Sequence, residues 1–132
     1  MWLDEDKVEK IFNNLMSNAL KFTPQGGKIS VGFDVIDREK AARLFGLSAD
    51  GRITQYVKVS VANTGQSIPE DKIEKIFERY YQIGNQAEGT YNWGTGIGLY
   101  YARSLAVLHH GQLKASQPEE GSGAVFTFVL PV

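Results

Sequence analysis

The spacing of the apolar residues changes abruptly near residue 25, and this change limits the possible folds more than any other sequence feature. In residues 4–22, apolar side chains recur every three or four positions, which predicts a helix with one buried face. In residues 28–35 they occupy every second position, which predicts a strand. Pro24 and the two glycines after it end the helix and favour a turn.

The rest of the chain continues this mixture of helices and strands. Residues 36–52 are polar around a small apolar island, and we expect a solvated loop with a short helical turn there. Further strands are predicted at 55–61, 112–116 and 124–130, and further helices at 69–81 and at 99–109, the last closed by Gly111. From this order we predict one domain over residues 1–132, with helices on one face of a mixed, mainly antiparallel sheet.

The composition excludes several classes of function. Fourteen Lys and Arg against fifteen Asp and Glu give a net charge of -1, which argues against a nucleic-acid-binding module. The absence of Cys excludes disulfides, thiolate metal sites and cysteine nucleophiles, and two adjacent His are too few for a His-rich metal centre. No apolar run approaches the ~20 residues of a membrane span, and the first residues do not resemble a secretion signal. We therefore expect a soluble protein in a reducing compartment.

Three polar residues form a row on the first helix, at the edge of its apolar stripe. Asn14, Asn18 and Lys21 are spaced i, i+4 and i+7, so they stack on one narrow arc that covers ~10 Å of the helix axis. Two amide oxygens and one ammonium in such a row suit a hydrated Mg²⁺ beside a polyphosphate, because Asn carbonyls are hard oxygen ligands. The alternative interpretation is an ordinary solvated face of the helix.

A glycine turn follows the second predicted strand, in residues 63–69. Gly65 would let the backbone approach a flat ligand closely, and Asn63 at the strand end offers both a hydrogen-bond acceptor and a donor. The alternative is a simple connection between a strand and a helix.

A second glycine-rich segment opens the helix predicted at 99–109. Gly94, Gly96 and Gly98 would leave free N–H groups at a helix N-terminus, which is a favourable place for phosphate. Their spacing differs from the dinucleotide fingerprint GxGxxG, and no Gly-Lys-Ser/Thr follows as in a P-loop. The alternative is a flexible hinge, and residues 84–93 before it have the composition of a mobile lid.

Taken together and in this order, these segments resemble the catalytic ATP-binding domain of sensor histidine kinases. That domain belongs to a wider family with gyrase, the mismatch-repair ATPases and the large heat-shock chaperone. Residues 14–22 look like its N box, 63–69 like its first glycine box, 76–82 like its F box and 94–99 like its second glycine box. The resemblance implies a Bergerat-type fold, an α/β (α+β) two-layer sandwich in which three helices cover one face of a mixed sheet.

The resemblance also implies roles for individual residues. Asn18 would ligate Mg²⁺ with Asn14 beside it, Lys21 would meet the phosphates of ATP, and Asn63 would read the edge of the adenine. Phe22 would pack on the adenine. Asn14, Lys21 and Arg79 are the residues expected to take part in catalysis. The remaining expected nucleotide contacts are Gly65, Ile68, Gly94, Thr95, Gly96, Ile97, Gly98 and Leu99.

The function implied by the resemblance is that of a protein-histidine kinase domain that positions Mg-ATP for phosphoryl transfer. The ATP-hydrolysing relatives carry a Glu at the position of Asn14, and an amide cannot accept a proton near neutral pH. The acceptor would be a His on a separate dimerisation domain of the same parent protein, without which this chain is expected to be inactive. A response regulator would be the next partner, the chain itself would be monomeric, and the domain would be cytoplasmic even where the parent is anchored in the inner membrane.

Three positions depart from the family pattern and favour a second hypothesis. Asn63 replaces the usual Asp, Ser67 replaces the second glycine of its box, and Gln82 replaces a basic residue. Each change weakens expected contacts with the nucleotide or the transfer region. The alternative function is therefore a degenerate domain with weak or no ATP binding that serves as an interaction module.

Overall fold

A four-stranded antiparallel sheet with helices packed on it forms the centre of the molecule. The computed structural model describes residues 4–47, 52–78, 98–119 and 121–132. The strand order is β1-β2-β4-β3, and all three pairings among these strands are antiparallel. The elements are α1 (Glu5–Phe22), β1 (Ile29–Asp37), α2 (Arg38–Phe45), β2 (Gln55–Asn63), α3 (Gly98–Leu108), β3 (Gln112–Ser116) and β4 (Ala124–Pro131). The predicted α/β arrangement of helices on a sheet is confirmed, but all described strand pairs are antiparallel, so the predicted mixture with parallel pairs is not found in this part of the chain.

Helix α1 forms where the apolar periodicity predicts it. The carboxylate of Asp4 accepts a hydrogen bond from the Asp6 backbone N–H at 3.0 Å and so caps the first turn. Ile11 and Leu15 on the apolar stripe are fully buried. The helix ends at Phe22, and Thr23 after it has an extended backbone, as expected from the proline that follows. Among the helices of the described segments, none is both long and apolar enough to cross a bilayer.

The main core lies between α1, α3 and one face of the sheet. Val59 and Val61 of β2 stand opposite Phe128 and Phe126 of β4, so the four side chains share one face. All four are buried, and α1 and α3 supply the other side of the same cluster. One face of the sheet is therefore covered by helices, as predicted.

The helix predicted at residues 69–81 is wrong in its described part. Residues 70–72 and 75–77 form two separate 3₁₀ turns, with hydrogen bonds of the i→i+3 type such as Glu78 N–H to the Lys75 carbonyl at 2.9 Å. Ile76 and Phe77 nevertheless lie in the main core, while residues 79–81 of the predicted helix lie outside the described residues. The Phe77 ring meets Phe126 edge-on at 6.4 Å, a tertiary contact that the local sequence does not encode.

The prediction of a solvated loop at residues 36–52 is also wrong in part. Strand β1 continues to Asp37, whose carboxylate accepts from the Lys40 N–H at 2.7 Å and caps α2. Gly46 ends α2 in a left-handed conformation with φ 67°. Side chains alternate between the two faces along β2 and β4, so Tyr56 and Val129, which pack with α2, lie on the sheet face opposite the main core. This second apolar cluster consists of Ile36, Ala41, Ile53, Tyr56 and Val129.

Strand β1 forms an edge of the sheet and keeps much of its apolar face open. Val31, Phe33 and Val35 stand opposite core residues of β2, yet Phe33 is 69% exposed. Its described aromatic neighbour is Phe12 of α1, with ring centroids 6.5 Å apart. The period-2 pattern thus predicts the strand correctly, but it does not show whether the apolar face of that strand is covered.

The end of α3 differs from the prediction by one residue. His110, not Gly111, adopts the left-handed conformation, with φ 66°. The Gly111 N–H donates to the Ala106 carbonyl at 2.7 Å and the His110 N–H to that of Val107 at 3.1 Å, which is a Schellman motif. Gly111 is required for a different reason, because a Cβ there would overlap the Val129 carbonyl of β4.

Candidate nucleotide site

The N-box residues lie on the last three turns of α1 and differ in their exposure. Asn14 is half-buried, and its side-chain N–H donates to the Lys10 carbonyl at 2.9 Å. Lys21 is exposed, with its amine 5.4 Å from the centre of the Phe22 ring. Phe22 is itself buried in the main core. Its predicted contact with an adenine stays a prediction.

Asn18 is a buried polar side chain without a partner. It is only 6% exposed, and its Nδ2 atom is fully buried and makes no hydrogen bond with any residue that the structure describes. Buried polar groups are paired in nearly all cases, because an unmade hydrogen bond costs about 1–3 kcal/mol. An orphaned amide at this position is suited to a ligand that supplies the missing partner.

The turn after β2 brings the first glycine box against the end of the N box. A Cβ on Gly65 would lie 3.1 Å from the Phe22 carbonyl oxygen and 3.0 Å from Cδ of Pro24. Gly65 also has φ 132°, a conformation that L side chains rarely adopt. The loop therefore needs glycine both for its backbone geometry and for its close approach to α1.

Asn63 lies at the end of β2, beside this loop. It is buried, and its side-chain N–H donates to the Thr64 carbonyl at 3.0 Å. The same Nδ2 atom would be 3.9 Å from a Cβ on Gly65. The amide of Asn63, the Gly65 backbone and the end of α1 therefore meet at one place, although the sequence separates them by some 40 residues.

Two hydrogen bonds that the sequence did not suggest hold the loop in place. The hydroxyl of Ser67 accepts from the Gly123 N–H at 3.1 Å, and the Gln117 side chain donates to the Ile68 carbonyl at 3.0 Å. Ser67, which departs from the family pattern, thus supports the loop from the side of β4. Neither Gln117 nor Gly123 belongs to a sequence motif, so only the tertiary structure identifies them.

The second glycine box is described at its end only. Gly98 is the first residue of α3, and Leu99 after it is buried in the main core. The other predicted residues of the site lie outside the described residues, and their roles stay predictions: Arg79, Gly94, Thr95, Gly96 and Ile97.

The described part of the site is electrically neutral except for Lys21. Within residues 4–47, 52–78, 98–119 and 121–132, no three His, Cys, Asp or Glu side chains come together as a metal cluster. Hydrogen bonding to Lys10 lowers the pKa of Asp6, but Asp6 lies about 12 Å along the helix from Asn14. The chemistry of the site therefore rests on amide groups, glycine backbone and one ammonium.

Comparison with known proteins identifies the family of this site. The family model described as "Histidine kinase-, DNA gyrase B-, and HSP90-like ATPase" matches residues 3–132. The chain is 33% identical over 129 residues to sensor histidine kinase WalK of Bacillus subtilis. It is also 36% identical over 133 residues to the adaptive-response sensory kinase SasA of Rippkaea orientalis. These matches cover 98% and 100% of this chain. They cover only 18% of the length of WalK and 29% of the length of SasA.

Solved structures give the same result. The catalytic domain of histidine kinase ThkA is 29% identical with a TM-score of 0.68, and the match covers 97% of this chain and 68% of that one. Full-length ShkA in complex with AMPPNP is 28% identical with a TM-score of 0.67, covering 97% of this chain and 22% of ShkA. The chain therefore belongs to the histidine kinase-, DNA gyrase B- and HSP90-like ATPase family, as an ATPase domain of the sensor histidine kinase type.

Proposed function

We propose that this chain binds ATP with Mg²⁺ and positions the terminal phosphate for transfer to a His on a separate dimerisation domain. The observation that carries the proposal is the buried, unpartnered amide of Asn18, on the helix whose end meets the Gly65 loop. A family of ATPases and relatives named sensor kinases support ATP as the nucleotide.

The metal would be held by Asn18. Its amide oxygen is a hard ligand of the kind that Mg²⁺ accepts, and Mg²⁺ usually completes its shell with water and phosphate oxygens. The unpartnered nitrogen of the same amide could donate to a phosphate oxygen or to a water on the metal. The bound ion would neutralise phosphate charge, while the chain itself orients the nucleotide between α1 and the Gly65 loop.

Asn14 favours transfer over hydrolysis. Its amide cannot act as a base, and its nitrogen already donates to the Lys10 carbonyl. A water beside the phosphate would then lack the base that activates it. Lys21, exposed at the end of α1, would meet the negative charge of the phosphates.

The partners we propose are a dimerisation domain with the acceptor His and a response regulator. Because the chain covers less than a third of WalK and SasA, ample length remains in such relatives for other domains. On this chain, α3 exposes Tyr100, Val107 and Leu108 beside a cavity of about 460 Å³ next to the 3₁₀ turns, which supports docking on that side. Because ATP is the proposed phosphoryl donor, we propose that the domain works in the cytoplasm.

Asn18→Ala tests the proposal. Titration with a fluorescent ATP analogue should show binding to the unaltered chain that is stronger with Mg²⁺ than with EDTA, and the variant should lose this difference. Asn13→Ala, an exposed position on the same helix, is the matched control and should behave like the unaltered chain.

Two results would contradict the proposal. If the unaltered chain bound no nucleotide, the kinase function would be wrong for this chain. If Asn18→Ala kept the full dependence on Mg²⁺, the metal ligand would be wrong while nucleotide binding itself would stand.

A further inference from the structure

Arg103 joins three elements of the fold through one guanidinium group. Its Nη1 atom lies 2.8 Å from Glu74 Oε2 and its Nη2 atom 3.5 Å from Glu74 Oε1. Its Nε–H donates to Gln112 Oε1 at 3.1 Å, and its Cζ atom stands 4.4 Å from the centre of the Phe77 ring. Arg103 thus connects α3 to the start of β3 and to both ends of residues 74–77.

These contacts depend on the shape of the guanidinium group. A planar fork can pair with a carboxylate, donate sideways to an amide and stack on an aromatic face at the same time. Lys has a single ammonium and cannot reproduce this combination. The side chain of Arg103 is only 26% exposed, against 44% for Lys10 in its ion pair with Asp6, so solvent screens the Arg103 guanidinium less than it screens the Lys10 ammonium.

The contacted segment lies directly before the predicted transfer residue. Glu74 precedes the second 3₁₀ turn and Phe77 is its last residue, and residue 79, the predicted catalytic arginine, follows two positions after Phe77. Phe77 also packs edge-on against Phe126, which pairs with Val61 two residues before Asn63. Residues 74–77 are therefore fixed on one side by the sheet that carries Asn63 and on the other by Arg103.

We propose that Arg103 is a positioning residue for phosphoryl transfer, which holds the turn at residues 74–77 directly before the predicted catalytic Arg79 in the sequence. This inference rests on the proposed kinase function. Arg103 does not touch the Asn18 or Asn63 side of the site, so its loss should affect the transfer step and not nucleotide binding. A small displacement of a positioned group is enough to slow a reaction by one or two orders of magnitude.

The test compares Arg103→Gln with the unaltered chain in two measurements. Hydrogen exchange without nucleotide should be faster at the amides of Phe77 and Glu78, which bond within the turn, and unchanged in the sheet. Transfer from ATP to an added dimerisation domain that carries the acceptor His should slow about tenfold even when that domain is present at a saturating concentration, so that weaker docking does not account for the loss. The Kd for the ATP analogue should stay within about twofold. Arg43→Gln, an exposed arginine on α2, is the control of equal charge change and should alter none of these values.

The outcomes separate this inference from the function on which it rests. If hydrogen exchange at residues 77 and 78 is unchanged, Arg103 does not hold the turn at residues 74–77, whether or not the chain is a kinase. Faster exchange with an unchanged transfer rate, or a parallel loss of nucleotide affinity, overturns the positioning role. If the unaltered chain neither binds ATP nor transfers phosphate, the proposed function is wrong. Hydrogen exchange alone then tests whether Arg103 holds the turn at residues 74–77.

Two further variants guard against a simple folding defect. Should Arg103→Gln not fold, Arg103→Lys keeps the charge but not the fork and should still slow transfer several-fold. Glu74→Gln, at a position that is 72% exposed, should fold normally and cause a smaller loss, because the contacts with Phe77 and Gln112 remain. A transfer rate equal to that of the unaltered chain in Arg103→Lys contradicts the inference.

Discussion

Replacing Asn63 by Asp should tighten ATP binding while it weakens the protein without ligand. In the structure, the Asn63 side chain is 4% exposed and donates to the Thr64 carbonyl. An Asp at this position cannot donate, so its carboxylate would be buried beside a carbonyl oxygen with no donor from that side. In the proposed orientation, the amino group of adenine would supply such a donor.

The size of both effects can be worked out from this geometry. Loss of the hydrogen bond and burial of an uncompensated acceptor should lower the free energy of unfolding by about 1–3 kcal/mol. A hydrogen bond to a charged acceptor is worth about 1 kcal/mol more than one to a neutral amide, which is about fivefold in Kd. Nucleotide should therefore raise the melting temperature of Asn63→Asp by more than it raises that of the unaltered chain.

The penalty should also depend on pH. Burial raises the pKa of the introduced carboxyl above its ordinary value of about 3.9, so the folded state keeps its proton to higher pH than the unfolded state. The loss of stability is then absent at low pH. It grows as the pH rises from the pKa of this carboxyl in the unfolded state to its raised pKa in the folded state.

Calorimetric titration with Mg-ATP analogue and thermal unfolding at several pH values measure both effects. Asn13→Asp, which introduces the same charge at an exposed position of α1, serves as the control and should change neither. Unchanged or weaker nucleotide binding by a folded Asn63→Asp would refute the assumed orientation of the adenine. Unchanged stability would refute the claim that the buried amide depends on its bond to Thr64.

Four other variants test the fold. Leu15→Ala should lower the free energy of unfolding by about 2–5 kcal/mol in urea denaturation. Phe33→Ser should cost well under half as much, because Leu15 is fully buried and Phe33 lies on the open edge strand. Gly111→Ala should destabilise the chain more than a usual surface substitution does, because the added Cβ would overlap a β4 carbonyl. A melting temperature within 1–2 °C of the original (roughly 0.3 kcal/mol) would contradict this packing. Asp6→Asn should remove the stabilisation that the Asp6 carboxylate gains from Lys10. This stabilisation is present above the pKa of the carboxyl in the unfolded state and is lost as the pH falls through its lowered pKa in the folded state. The free energy of unfolding of the variant should therefore change less with pH in acid.

Part of the candidate site could be predicted from the sequence, and part depends on tertiary packing. Asn14, Asn18 and Lys21 could be placed on one helix from their spacing alone, and Asn63 and Gly65 at a strand end from the alternation before them. Their meeting could not be predicted from the residues alone, because it depends on the packing of the Gly65 turn against the last residues of α1. Arg103, Gln117 and Gly123 carry no motif, and their hydrogen bonds with Glu74, Ile68 and Ser67 span 29 to 56 positions of sequence.

The sequence by itself determined the elements whose signal is local. Helix α1, the strands and the order of the four boxes follow from periodicity, from Pro24 and from the glycines, each of which acts through its own backbone or its neighbours. The tertiary structure alone decided what depends on distant partners. It made 3₁₀ turns of residues 70–72 and 75–77, placed α2 on the opposite face of the sheet, left Phe33 exposed and gave His110 the left-handed position at the end of α3. In each case the deciding energy comes from packing against another element, and such packing can override a local preference of about 1 kcal/mol or less per residue.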